Sequence, residues 1–354
     1  MSSNNMKTKE NFESINSLQL KKIVKNTNFN DVKKCNINLF DYISLAKIIA
    51  SFSVVILHNN AYWGFNYINH KNLWIKANII RCTFYFAVPI FVLCIGATLL
   101  NFNERYGISK YIYKRIIKVI VPLFSWTYIL YFYRVYFLKN KNKEIASFEN
   151  IWNLYHKNRS YVIFSSFHIF IKGYMIIPLL SFVEKSKKLK IYSYCFFTLL
   201  IIQSLVPYLI WIFNQNLGWP YNINIGYSIF LFAGYIIHNV RFSLLKKIIV
   251  YFFGISSLII HILINKIYAL KYKKLIDLPG GYTNILSVLY SCAIFLFIKE
   301  NSYIIIKFLD RKYVNKIGAL TIGPFFMHLP IKDTYLKYFS INQLNLRFIL
   351  LKFI

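Results

Sequence analysis

Long apolar runs alternate with short basic segments along this chain, and that alternation leaves it few ways to fold. The runs lie at 42–60, 82–100, 116–137, 161–183, 191–213, 224–240, 244–265, 281–298 and 317–336. Most come close to the ~20 residues that an α-helix needs to cross the hydrocarbon of a bilayer. A soluble domain could not cover so much apolar surface. Of 354 residues, 57% are hydrophobic and only 16% are charged, whereas soluble domains are roughly 45–50% apolar. In lipid every backbone polar group must be satisfied internally, so the runs are expected as helices. The expected fold is an all-α, polytopic membrane helix bundle of about nine to ten transmembrane helices.

Charge placement orients the bundle. The formal net charge is +31, from 43 Lys+Arg against 12 Asp+Glu. The basic residues stand at the ends of apolar runs, as in membrane proteins, so the partner read from them is membrane lipid and no nucleic acid. With the N-terminus cytoplasmic, segments 1–39, 101–115, 184–190, 241–247 and 299–316 face the cytoplasm and hold 23 Lys+Arg. The opposite loops, 61–80, 138–160, 214–223 and 266–280, hold 11. That asymmetry predicts a cytoplasmic N-terminus and a multi-pass protein of the cytoplasmic (inner) membrane. Residues 1–39 read as a basic, polar cytoplasmic tail and 40–354 as the transmembrane domain. Its last stretch, Asn345–Ile354, starts like a tenth spanning helix but is too short to cross, so it is expected to be truncated or to lie in the interface. The five cysteines, Cys35, Cys82, Cys94, Cys195 and Cys292, show no metal-ligand spacing and read as small hydrophobes. No metal site and no bound cofactor are expected.

Ionisable residues inside spanning helices are costly and therefore mark candidate sites. Lys47 and His58 both belong to the first run. Eleven residues at 100° each bring them to within about 20° of one face, about 16 Å apart along the axis. A cation midway and an imidazole near the far mouth fit a lined path across the membrane. A snorkelling lysine and an interfacial histidine fit the same spacing. Arg115 and Lys118 form an i,i+3 pair before Pro122. Two cations at a helix end can grip the phosphates of a donor, or simply anchor the helix by the positive-inside rule. His328 in the ninth run reads as a histidine satisfied by a neighbouring helix, with a supporting site role as the alternative. Lys172 lies within the fourth run and needs a partner. His238 and His261 read as interfacial or packed, and Trp219 and Tyr221 as interface anchors.

Taken together these residues resemble acyltransferase family 3, the bacterial integral-membrane O-acyltransferases of surface polysaccharides. Lys47 and His58 match the family's first-helix spacing of a cation, ten residues and a histidine. Ala87–Gly96 is similar to its "VPLFFFLSG", Tyr174–Leu180 to "YLLIPLL", and Phe230–Tyr235 to "FLLGY". Ile317–Pro330 is similar to "ISKYTFGIYLIHPL", and Arg115, Lys118 and Pro122 resemble its Arg-x-x-Arg run. The order and spacing hold from about residue 40 to 335. Ser44 stands where the family has Asp, with Asp41 one turn earlier, and Ile163–His168 stands in place of "HLWFLY".

The resemblance implies a membrane O-acyltransferase, most often an O-acetyltransferase. It would move an acyl group from cytosolic acyl-CoA, with acetyl-CoA as the expected co-substrate, to a hydroxyl of a cell-envelope or lipid-linked glycan. It assigns His58 as the catalytic base, Lys47 and Asp41 to the acyl path or to charge balance, Arg115 and Lys118 to the donor phosphates, and His328 to a supporting role. The competing reading is a polytopic transporter or exporter of polysaccharide or small molecules, for which inverted repeats and broken midplane helices are the expected marks.

Overall fold

The computed structural model describes residues 41–60, 71–133, 173–213, 226–272, 278, 280–321, 323, 327, 328, 330, 331 and 334. The expected tail at 1–39, the 138–160 loop, Lys172, Trp219, Tyr221 and Asn345–Ile354 lie outside the described residues. So the tail and the tenth-helix reading stay expectations.

Every regular element among the described residues is helical. In chain order these are α1 (Asp41–Asn59), α2 (Lys71–Phe84), α3 (Ala87–Leu99), α4 (Ile108–Arg115) and α5 (Val121–Phe132). There follow α6 (residues 173–181), α7 (Lys185–Leu199), α8 (Val206–Phe213), α9 (Ser228–Asn239), α10 (Leu244–Tyr272), α11 (Ile285–Phe308) and α12 (Arg311–Leu320). Among the described residues five helical runs are long and apolar enough to cross a membrane: Asp41–Asn59, Lys71–Glu104, Lys185–Phe213, Leu244–Tyr272 and Ile285–Phe308. The apolar α9 has only 12 residues.

Two stretches expected as loops are helical. Lys71–Phe84 is a helix despite Lys71, Lys76 and Arg81, and α10 continues to Tyr272. Hydropathy marks the length of a helix inside the hydrocarbon. Long cationic side chains let the helix itself continue beyond that length.

The core forms where α3 crosses α9. A Cβ added at Gly96 would lie 2.0 Å from the Leu231 carbonyl oxygen, and one at Gly234 would lie 2.1 Å from that of Leu93. The two backbones thus touch at reciprocal glycines. Around them Ile90, Leu93, Leu100, Ile229, Phe230 and Leu231 are fully buried. The long α10 has the opposite character. It turns Leu244, Phe252 and Ile267 outward and buries Gly254, Ser257, His261, Asn265 and Ala269. Its Asn265 amide donates to Asn78 Oδ1 at 3.2 Å, and Asn78 Nδ2 donates to Ile262 O at 3.1 Å, which pins α10 to α2.

Two buried or half-buried lysines bind carbonyls at helix ends. Lys188 Nζ donates to Leu100 O at 3.4 Å and to the side-chain oxygens of Asn101 and Asn103. Lys299 Nζ donates to the carbonyls of Ile237, His238 and Val240, at the end of α9. Cations there meet the unpaired carbonyls and the negative pole of the helix.

Among the described residues π-helical segments interrupt otherwise continuous helices at two places. Ile116–Ile120 joins α4 to α5, and Leu200–Leu205 joins α7 to α8. In each the closing bond reaches five residues back, from Val121 N–H to Ile116 O and from Val206 N–H to Ile201 O. Both are followed by Val-Pro, at Pro122 and Pro207. Proline has no N–H and clashes with the carbonyl four residues back, and a widened turn relieves both problems.

The crossing predicts a sharp intolerance. Gly96→Ala and Gly234→Ala should each lower the thermal unfolding midpoint of the detergent-solubilised protein, by the ~1–3 kcal/mol typical of overpacking or more. Gly107→Ala should leave the midpoint unchanged, because nothing lies within 4 Å of a Cβ there.

Candidate active site

The polar residues of α1 divide between its two ends. Asp41 opens the helix and is 2% exposed. Its Oδ2 forms an ion pair with Arg311, 2.7 Å from the Nε, and its Oδ1 accepts from Asn315 Nδ2 at 3.0 Å, both from α12. One turn on, Ser44 abuts Gly318, where an added Cβ would fall 2.6 Å from the Ser44 Cβ. Asp41 is therefore committed to α12. Among the described residues no ion pair or hydrogen bond joins it to the Lys47 ammonium. The sequence held no sign of the partner, because Arg311 read as one more basic residue in a basic segment.

At the other end of α1, half-buried His58 meets His328. The two ring centroids are 4.9 Å apart and the rings are inclined at 30°. Tyr133, just past α5, donates from its hydroxyl to Pro330 O at 3.4 Å. Val54 and Ala87 are buried one turn further in, with Leu57, Phe91 and Trp126 packed against them. The imidazole pair thus sits above an apolar wall built by α1, α3 and α5. Asn60 Nδ2 donates to Ala77 O at 2.6 Å and ties the end of α1 to α2.

Lys47 lies between these ends and is half-buried. Among the described residues its ammonium makes no hydrogen bond or ion pair. The buried Cys94 thiol lies within electrostatic reach of it, and Cys94 in turn lies within reach of Tyr174 in α6.

Tyr174 leads to the basic pair. Arg115 lies over its ring. The guanidinium carbon stands 5.4 Å from the Tyr174 ring centroid and 5.5 Å from that of Tyr111. Tyr111 Oη donates to Tyr174 O at 3.0 Å, so α4 and α6 are locked together beneath the guanidinium. Lys118 does not share this setting. It lies in the π segment and is exposed, whereas Arg115 is half-buried. The i,i+3 face expected of a regular α-helix is thus opened by the widened turn. Other cations crowd the same corner. Lys110, Lys118, Arg115 and Arg105 all act electrostatically on Lys114, whose Nζ stands 4.0 Å over the Tyr106 ring. Arg105 donates to Thr98 O.

Among the described residues the other two histidines, His238 and His261, are packed. Tyr42 Oη and His238 Nδ1 are 2.7 Å apart, and His261 meets the edge of Tyr85 with ring centroids 5.3 Å apart. Tyr85 stacks on Tyr282, and Arg81 lies over its ring at 5.4 Å.

The structure therefore assembles a histidine pair at one end of α1, a cation cluster on α4 and its flanks, and Lys47 with Cys94 and Tyr174 between them. No curated protein and no solved structure matches the chain significantly. The family model of an acyltransferase domain matches residues 40–354, from the first turn of α1 onward. With its several apolar helices this is a multi-pass membrane protein, and the chain belongs to acyltransferase family 3.

Proposed function

We propose that the protein is an acyl-CoA-dependent O-acyltransferase, acting with acetyl-CoA on a hydroxyl of a cell-envelope or lipid-linked glycan. The observation that carries this reading is the His58–His328 pair above an apolar wall, on the same helix as Lys47. The Asp41 end faces the cytosol of the cell's inner membrane, in keeping with the loop charges.

The donor's phosphates bind among Arg115, Lys118, Lys114, Lys110 and Arg105. Tyr174 and Tyr111 hold the Arg115 guanidinium in place, and a fixed guanidinium can grip a phosphate through two bonds. The pantetheine arm passes Lys47 and Cys94 and follows α1 for about 16 Å to His58. Val54, Leu57, Phe91 and Trp126 exclude water from the thioester. His58 takes the proton of the acceptor hydroxyl as that oxygen bonds to the thioester carbonyl carbon. The carbon–sulfur bond then breaks, and the imidazolium returns the proton to the leaving thiolate, giving free CoA and the ester. His328 steadies the His58 ring through their tilted ring contact.

Three measurements test the reading. His58→Ala should lower CoA release in the presence of a glycan acceptor by ~10²–10⁴ at equal membrane insertion. His328→Ala should lower kcat by up to about 10²-fold, as for a displaced catalytic group. Wild-type transfer by His58→Ala would overturn the assignment. Arg115→Ala should raise the KM for acetyl-CoA about tenfold, flatten its salt dependence and leave the acceptor KM alone. Tyr174→Phe should give a smaller rise, because the ring remains beneath the guanidinium. An unchanged donor KM per inserted molecule would reduce Arg115 to a topology anchor. Finally, cysteine labelling should place positions near 185–190 and 305–312 inside and positions near 215–222 outside. The reverse pattern would put His58 on the donor side.

A further inference from the structure

The contacts between α1 and the described residues from Arg311 to His328 keep one step. Asp41 pairs with Arg311 and Asn315, and Ser44 abuts Gly318. Ser51 Oγ donates to Thr321 O at 3.5 Å, and His58 meets His328. Each pair is separated by 270 or 274 positions. A constant separation means that the two segments run parallel and advance together. The same number of residues separates Asp41 from His58, about 25 Å along α1, as separates Arg311 from His328.

We infer that Asp41 and Arg311 are positioning residues whose ion pair fixes the register of α1 against this segment and so holds His58 against His328 at the opposite end. The catalytic consequence rests on the reading of His58 given above. The physical basis is the burial of Asp41, 2% exposed, against a partner that is only partly covered. A slip of one turn, about 5.4 Å, would strand a buried carboxylate without its cation. It would also carry the notch at Gly318 away from Ser44 and set a side chain where only hydrogen fits. Both ends must then lose their pairing together. Loss of Arg311 alone leaves a buried charge that drives the helices out of step. Loss of both charges leaves the Gly318 notch to hold the register, so the double neutral variant is the milder one.

The test uses the full chain in membranes, with His58→Cys and His328→Cys introduced together and oxidised by copper phenanthroline. The product is the disulfide-linked peptide pair, read by mass spectrometry. Cross-linking should be fast in the otherwise unchanged chain. It should slow about tenfold or more with Arg311→Ala, less with Arg311→Lys, and recover in the charge swap Asp41→Arg with Arg311→Asp. In chains that keep both histidines, Arg311→Ala should lower kcat by ~10–10² per inserted molecule while the donor KM changes little, and the swap should restore kcat. Cross-linking that is indifferent to Arg311→Ala, or a swap that inserts normally but stays slow, would overturn the assignment. If cross-linking follows the expected series while no chain, wild type included, transfers acyl groups, the register device stands and the catalytic reading of His58 falls.

Discussion

The bundle depends on backbone touching backbone at Gly96 and Gly234. In lipid, apolar side chains gain little by leaving one hydrocarbon surface for another, so helix association rests on close packing and on polar contacts. A crossing without Cβ atoms brings α3 and α9 as near as two helices can come, and the largest continuous core gathers around it. Because α3 also packs on α1, the same crossing sets the height of the wall beneath His58. Gly96 and Gly234 each sit in a segment that marks the family resemblance, which gives those two segments a steric reason to exist.

Polarity runs inside out around that core. Asn78, Asn265, Lys188 and Ser291 are buried, while Phe52, Phe252 and Phe308 are exposed. Buried amides and ammonium groups bind helix-end carbonyls or each other, which is the only affordable fate for them away from water. The excess of lysine is therefore not wholly a surface feature. Lys188 and Lys299 end helices from inside the bundle, tying the ends of α3 and α9 to α7 and α11.

The sequence made some of this legible because it records local chemistry. Apolar length located α1, α7, α8, α10 and α11, and the Lys47–His58 spacing singled out α1, whose His58 meets His328. The resemblance pointed to the segment holding His328. Pairings across hundreds of residues were invisible, since nothing local distinguishes Arg311, which holds Asp41, from its basic neighbours. Tyr174 was quoted only as part of a motif, and its role under Arg115 depends on α4 and α6 meeting in space. The π segments were missed, yet they left a trace in the two Val-Pro steps, whose missing N–H groups invite a wider turn. Hydropathy placed the start of α2 and the end of α10 in loops because it counts charge and takes no account of side chains that reach past the hydrocarbon.

One consequence follows from the widened turn at Ile116–Ile120. An extra residue within a helix acts as a change of phase: everything after it is rotated by about one residue's worth, ~100°, relative to everything before. That rotation lets a single rod address two audiences, turning Arg115 toward Tyr111 and Tyr174 and, further along, Trp126 toward Val54 and Ala87. The distance between Arg115 and Trp126 is thus a count that the chain must keep. Deleting one residue between them would preserve the hydropathy of the segment and still point one of its two ends at the wrong neighbours.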